Sequence, residues 1–229
     1  MPTTSTLVRL DQLIERHCAP EWKALLRAQN TRSEFRKGEA IFAAGQHAER
    51  MFMVHHGRVK VVAHFPKGNT RIIRLAGDGE VLGHRGIGDE PMYTASAIAL
   101  SHTTVNSIPM GLFLSTLRAN NLFCYHFLLY FADEMRELDR QMRDLMEMDV
   151  VRRVANVILL CRNTFGMDPA RPSMLAYTLP RRDIASMADT TYESVIRALA
   201  DLHQRELIEL VAKEVRIRKR RELERLIKG

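Results

Sequence analysis

The sequence predicts an α+β chain: an N-terminal jelly-roll-like β-roll, then a long helix, then a C-terminal winged helix-turn-helix. Three observations carry this. Nine of the twelve glycines lie between Gly38 and Gly88, and after Gly111 only Gly166 and Gly229 remain. From Asn120 to Met148 there is neither Gly nor Pro, and apolar residues recur at helical spacing. Positive charge is concentrated late: residues 150–229 hold 16 Lys/Arg against 10 Asp/Glu, whereas residues 1–149 hold 18 against 17. Tight turns use glycine, a long helix excludes glycine and proline, and a basic segment suits a polyanionic partner.

The 229 residues suffice for two modest cores. No run approaches the 18 apolar residues of a membrane span, and the start has neither a basic nor an apolar signal region, so no membrane partner and a cytoplasmic location are expected. Cys18, Cys124 and Cys161 are few, odd in number and far apart, which fits a reducing compartment rather than a disulfide framework. No nucleophile elbow, P-loop or dinucleotide fingerprint is present. His55, His56 and His64 lack the spacing and the Glu partner of a metal-dependent barrel enzyme, so an enzyme is not expected.

In chain order, two short amphipathic helices are predicted near 7–17 and 20–28. The β-roll follows. Its predicted strands are 51–57, 58–64, 71–76 after a turn at Lys67-Gly68-Asn69, then 94–100 and 103–108. Pro109 is expected to open a helix. In the glycine-free segment, Leu128, Phe131, Met135, Leu138, Met142 and Leu145 are spaced 3, 4, 3, 4, 3 among charged neighbours, a heptad-like seam that pairs with a second copy of the chain. A further helix runs from Val150 to about Thr164 with Gly166 as its cap, and residues 168–173 read as a turn-rich loop. The expected domains are therefore the β-roll with its flanking helices (1–119), the dimerisation helix and hinge (120–149) and the winged helix-turn-helix (150–229).

Residues 178–203 read as two short helices around a turn at Asp189-Thr190. Ile184, Ala185 and Ala188 are the inward positions of the first helix. Thr191 can cap the second, whose buried stripe is Val195, Leu199 and Leu202. Tyr192, Glu193, Ile196 and Arg197 fall on the outer side. There Arg197 can donate to guanine O6 and N7, Glu193 can accept from cytosine N4, and Ile196 can touch a thymine methyl. Taken alone, Glu193 and Arg197 also fit a surface ion pair at i,i+4. Phosphate contacts are expected from Arg181 and Arg182 at the start of the first helix, from Thr191, and from Arg216 and Arg218, which alternate with Val215 and Ile217 in a wing strand.

Taken together, these features resemble the Crp/Fnr superfamily of bacterial transcriptional regulators across almost the whole chain. The most specific block is Arg181-Arg-Asp-Ile-Ala-Ser-Met-Ala-Asp-Thr-Thr-Tyr-Glu-Ser-Val-Ile-Arg197, in which Glu193 and Arg197 match the family's recognition residues and Arg181 its phosphate-contacting Arg. Gly57-Arg-Val-Lys-Val61 and Gly77-Asp-Gly-Glu-Val-Leu-Gly83 match its cyclic-nucleotide-binding-like β-roll. The resemblance implies a homodimer on an inverted repeat of double-stranded DNA, with RNA polymerase as a further partner.

The chain departs from the family where ligand would bind. Nucleotide binders carry a Glu after the cassette Gly and an Arg about ten residues on, where this chain has His84 and Tyr93. Gly83, His84, Arg85, Tyr93 and Thr94 are thus the candidate effector pocket, for a small molecule other than cAMP. The alternative is an effector-independent regulator whose β-roll is only a dimer scaffold. No cofactor or metal is expected. An iron–sulfur cluster is excluded because only Cys18 lies near the N-terminus, and His55 and His56, as adjacent strand residues, point to opposite faces and do not easily share a metal.

Overall fold

The computed structural model describes residues 10–65 and 69–228. These form two compact units, one of residues 10–65 and 76–137, the other of residues 69–75 and 138–228. Among the described residues no helix is long and apolar enough to cross a membrane.

The first unit opens with α1 (Leu10–His17) and α2 (Pro20–Ala28). Pro20 stands in the first helical turn, where its missing N–H leaves no bond unmade. The part of the predicted first helix before Leu10 lies outside the described residues, as do Lys67 and Gly68 of the predicted turn. Eight strands follow in the chain: β1 (Thr31–Phe35), β2 (Ala40–Phe42), β3 (Arg50–His56), β4 (Val59–His64), β5 (Thr70–Ala76), β6 (Val81–Leu82), β7 (Ser96–Ala99) and β8 (Thr103–Pro109), of which β5, but for its last residue, belongs to the second unit. One antiparallel sheet runs β1-β8-β3-β6, and in another β7 lies between β2 and β4. β1, β2 and β6 were not among the predicted strands. β6 has two residues, β2 has three, and β1 exposes four of its five, so none carries a burial alternation to read.

The helix expected at Pro109 begins one residue later, with Pro109 as its N-cap. Pro109 closes β8, opposite Arg50, with an extended backbone (φ −57°, ψ 134°), and α3 spans Met110–Ala119. Asn120 then breaks the chain direction. Its side-chain carbonyl accepts from the Ala19 N–H at 2.8 Å while its amide donates to the Thr116 carbonyl at 2.8 Å. The long helix α4 therefore spans Asn121–Glu147. It buries Phe123, Phe127, Tyr130 and Glu134, at spacings 4, 3 and 4, with Phe113 of α3 edge-on to both phenylalanines. Leu128, Met135, Leu138, Met142 and Leu145 of the predicted seam are exposed. Phe131 is only half-exposed, because its ring packs edge-on against Phe127 and His84.

In the second unit, Asp149 caps α5 (Val150–Phe165), accepting from the Arg152 N–H at 2.9 Å, and Gly166 ends the helix at φ +79°. The segment expected as a loop at 168–173 is flanked by strands β9 (Met167–Asp168) and β10 (Arg171–Leu175), and only its tip is a turn. Then come α6 (Arg181–Met187), α7 (Tyr192–Gln204), β11 (Ile208–Val211), β12 (Glu214–Ile217) and α8 (Arg220–Leu226), with sheet order β11-β12-β10-β9. Helix α8 was not foreseen: its residues are mostly charged, but Leu223 is fully buried, and Arg152 donates to the carbonyls of Leu226 and Ile227. Cys18 and Cys161 are buried and free, and burial pushes their thiols up to about 11 and about 12.

Gly57 joins β3 to β4 at φ +132°, and a Cβ there would lie 2.5 Å from the Thr103 hydroxyl and 2.7 Å from its backbone. Gly57→Ala is expected to destabilise the chain by about 2–3 kcal/mol in urea unfolding, since backbone strain and overpacking act together. A loss under about 0.5 kcal/mol would show that the turn can relax.

Candidate nucleic-acid interface

Helices α6 and α7 form the helix-turn-helix. Ile184, Ala185 and Ala188 are buried on the first helix and its end, and Val195, Ala198, Leu199 and Leu202 on the second. That stripe at 3, 1 and 3 spacing fixes the rotation of α7 about its axis. The opposite side is thereby presented to solvent: Tyr192, Glu193, Ile196 and Arg197 are all exposed. Tyr192 and Ile196, at 47% and 43% exposure, are large apolar or aromatic side chains left uncovered, a costly arrangement on a face with no partner.

The turn is set by Asp189, which takes φ +47°, a left-handed conformation that a short polar residue tolerates better than a bulky one. Arg153 of α5 donates to the Asp189 carbonyl at 3.2 Å, and Arg71 lies 2.7 Å from its carboxylate. Thr191 is the N-cap, as its position predicted, and its hydroxyl oxygen accepts from the Ser194 N–H at 3.2 Å. Sequence reasoning missed Ser194, whose hydroxyl stands 3.1 Å from that of Thr191 and accepts from an Arg197 guanidinium nitrogen at 3.1 Å. Thr191, Ser194 and Arg197 follow at steps of three, the spacing at which helical neighbours meet, so the link was legible in the chain.

The wing is the β11–β12 hairpin, joined by the two residues Ala212 and Lys213, with Ala212 at φ +54°. Val215 and Ile217 point into the core and Arg216 and Arg218 outward, the predicted alternation. Both arginines reach one carboxylate that the sequence reading did not weigh, Glu209, at 3.0 and 2.8 Å. The hairpin register sets Glu209 directly opposite Arg216, and the two guanidinium groups hold its carboxyl below the usual range. At the start of α6, Arg181 is half-buried and donates to the Lys213 carbonyl at 3.3 Å, tying helix to wing tip, while Arg182 is exposed. Burial lowers the Arg181 pKa from its ordinary value.

The candidate effector residues divide. Gly83 and Tyr93 are neighbours: a Cβ on Gly83 would meet the Tyr93 ring at 3.1 Å. The Tyr93 ring is stacked on Phe42, and its hydroxyl donates to the Arg50 carbonyl at 2.7 Å. Thr94 is exposed. His84 and Arg85 turn instead toward Glu134 of α4, another residue that sequence reasoning missed. Among the described residues no group of three or more His, Cys, Asp or Glu is placed to hold a metal ion. His55 and His56 are both exposed, where a bulge in the β3–β8 pairing interrupts the alternation.

A helix-turn-helix with an uncovered second helix and an arginine-bearing wing, carried on a chain with a β-roll, defines a DNA-binding regulator. Residues 32–120 match the Cyclic nucleotide-binding domain family and residues 152–226 the Crp-like helix-turn-helix domain family. The chain is 26% identical over 198 residues to a CRP-like cAMP-activated global transcriptional regulator of Mycobacterium tuberculosis, covering 86% of this chain and 88% of that one. It is 26% identical over 211 residues to the Cyclic AMP receptor protein of Thermus thermophilus, covering 92% and 94%. The structure of FixK2 from Bradyrhizobium japonicum superposes with a TM-score of 0.76 at 25% identity, over 86% of this chain and 96% of that one. The chain belongs to the Crp/Fnr superfamily of bacterial transcriptional regulators.

Replacing the cap tests how far the interface depends on it. Thr191→Ala is expected to cost about 1 kcal/mol of stability, and Thr191→Ser to recover most of it, in paired denaturant titrations.

Proposed function

We propose that the chain is a sequence-specific regulator that binds an inverted repeat of double-stranded DNA as a homodimer and acts on transcription through RNA polymerase. The observation that carries this is the outward face of α7, where Tyr192, Glu193, Ile196 and Arg197 stand exposed over a buried stripe. Arg197 and Glu193 would read base edges in the major groove, Arg181, Arg182 and Thr191 would meet phosphates, and Arg216 and Arg218 would do so from the wing. The exposed row Leu128, Met135, Leu138, Met142 and Leu145 favours self-pairing through α4, with Phe131 at its margin. Two-fold pairing would set half-sites about one helical turn of DNA apart. The chemistry is binding, not catalysis.

The relatives in M. tuberculosis and T. thermophilus carry cAMP in their names. For this chain we favour an effector other than cAMP or none at all. His84 and Tyr93 stand where nucleotide binders carry Glu and Arg, and Tyr93 is engaged with Phe42 and Arg50. The direct engagement of His84 with Glu134 favours the effector-independent reading.

Selection from a pool of randomised duplexes, with no effector added, tests the proposal. Enrichment of an inverted repeat is expected. Arg197→Ala should then lose about 1–3 kcal/mol on that site and relax one base position in each half. Unchanged discrimination by this variant would refute the base-reading role. Glu209→Gln removes the carboxylate that holds both wing arginines, so it is expected to tighten binding at low salt and steepen the salt dependence. Met135→Glu with Leu138→Glu is expected to yield monomers in sedimentation.

A further inference from the structure

The residue after the cassette glycine is held by the chain's own long helix. His84 is 1% exposed and Glu134 4%, and His84 Nε2 lies 2.6 Å from Glu134 Oε2. Arg85 approaches the same oxygen with Nε and a terminal nitrogen at 3.5 Å, and the Tyr130 hydroxyl donates to the other oxygen, Oε1, at 3.1 Å. Groups from two elements thus converge on one carboxylate, on both of its oxygens. An ionised carboxyl removed from water is costly unless it is paired and hydrogen-bonded, so this corner is built around negative charge.

The corner is also preset by backbone. His84 and Arg85 sit on a short helical turn, His84–Gly86, entered through Gly83 in the left-handed region at φ +81°. At its exit Gly86 lies so close to Ala48 that a Cβ would approach the Ala48 methyl to 2.6 Å. Glycine at both ends permits this path, which a side chain at either position would obstruct. The ring of His84 is further held edge-on between Tyr130 and Phe131.

We propose that His84, Arg85 and Tyr130 form a carboxylate-binding site that is permanently occupied by Glu134, so that α4 is its own ligand. The occupied site locks the cassette turn to the long helix without an external molecule. A free monocarboxylate competes poorly with Glu134, because the tethered group is present at high effective concentration. Once Glu134 is shortened, a small free carboxylate can take its place. The proposal deepens the effector-independent reading above, but its test needs no DNA.

The full-length chain is melted as wild type, Glu134→Ala, Glu134→Gln and His84→Ala/Glu134→Ala, in sodium formate or acetate and in sodium chloride of equal ionic strength. Glu134→Ala is expected to melt about 10 °C lower than wild type. Formate should return several degrees of this loss, beyond the effect of chloride, and should do nothing for wild type, for Glu134→Gln or for the double variant. Glu134→Gln keeps the shape without the charge, and it too is expected to melt several degrees low. The proposal is overturned if Glu134→Gln is as stable as wild type, or if formate lifts Glu134→Ala no more than chloride does. Failure of the wild type to select any DNA site would sink the functional reading and leave this result standing.

Discussion

A 27-residue helix has to satisfy two surfaces at once, and much of the structure follows from how α4 does so. At 3.6 residues per turn, one stripe can face the β-roll while another faces away. Phe123, Phe127, Tyr130 and Glu134 make the inner stripe, and Leu128, Met135, Leu138, Met142 and Leu145 the outer row. The inner stripe is short and aromatic because it must fill a fixed space beside Phe113. The outer row runs on past it and is rich in Met and Leu, whose side chains adapt easily to a facing surface. Phe131 lies between the two and serves the inner surface.

The same division of labour governs α7. Its small and branched residues are spent on anchoring, which leaves the remaining positions free to vary without loss of fold. Tyr192, Glu193, Ile196 and Arg197 can therefore change while Val195, Ala198, Leu199 and Leu202 stay buried. The Thr191 cap and the Ser194 hydroxyl add direction: Arg197 is steadied on its own helix. A pre-positioned guanidinium loses less freedom on binding than a mobile one.

Apart from α8, the helices and the outward side of α7 were legible in the chain because their signals are periodic. The cap at Thr191, the stripe of α7 and the alternation of Val215 and Ile217 with Arg216 and Arg218 all sit where spacing placed them. The two-residue strand β6 and the three-residue β2 were not, because so few residues show no period and hydrogen bonds to distant neighbours decide them. Pro109 marks the helix start to within one residue, because its fixed φ suits the end of β8 as well as the cap of α3. Glu134 is one of the many charged residues that surround the seam in the sequence. The signal was there, since it continues the 123, 127, 130 progression by four, but a carboxylate is a poor guide to burial until its partners are known.

The wing hairpin turns in two residues, and that economy makes it intolerant of length. Side chains alternate along β12 with a period of two, so the inward side is set by counting from the turn. One residue inserted at Ala212-Lys213 without a compensating bulge would send Val215 and Ile217 to solvent and drive two guanidinium groups toward the core. An odd insertion at this tip therefore has to be absorbed by a bulge or a longer loop, whereas replacement leaves the register untouched. The chemistry of the wing can be retuned more freely than its length.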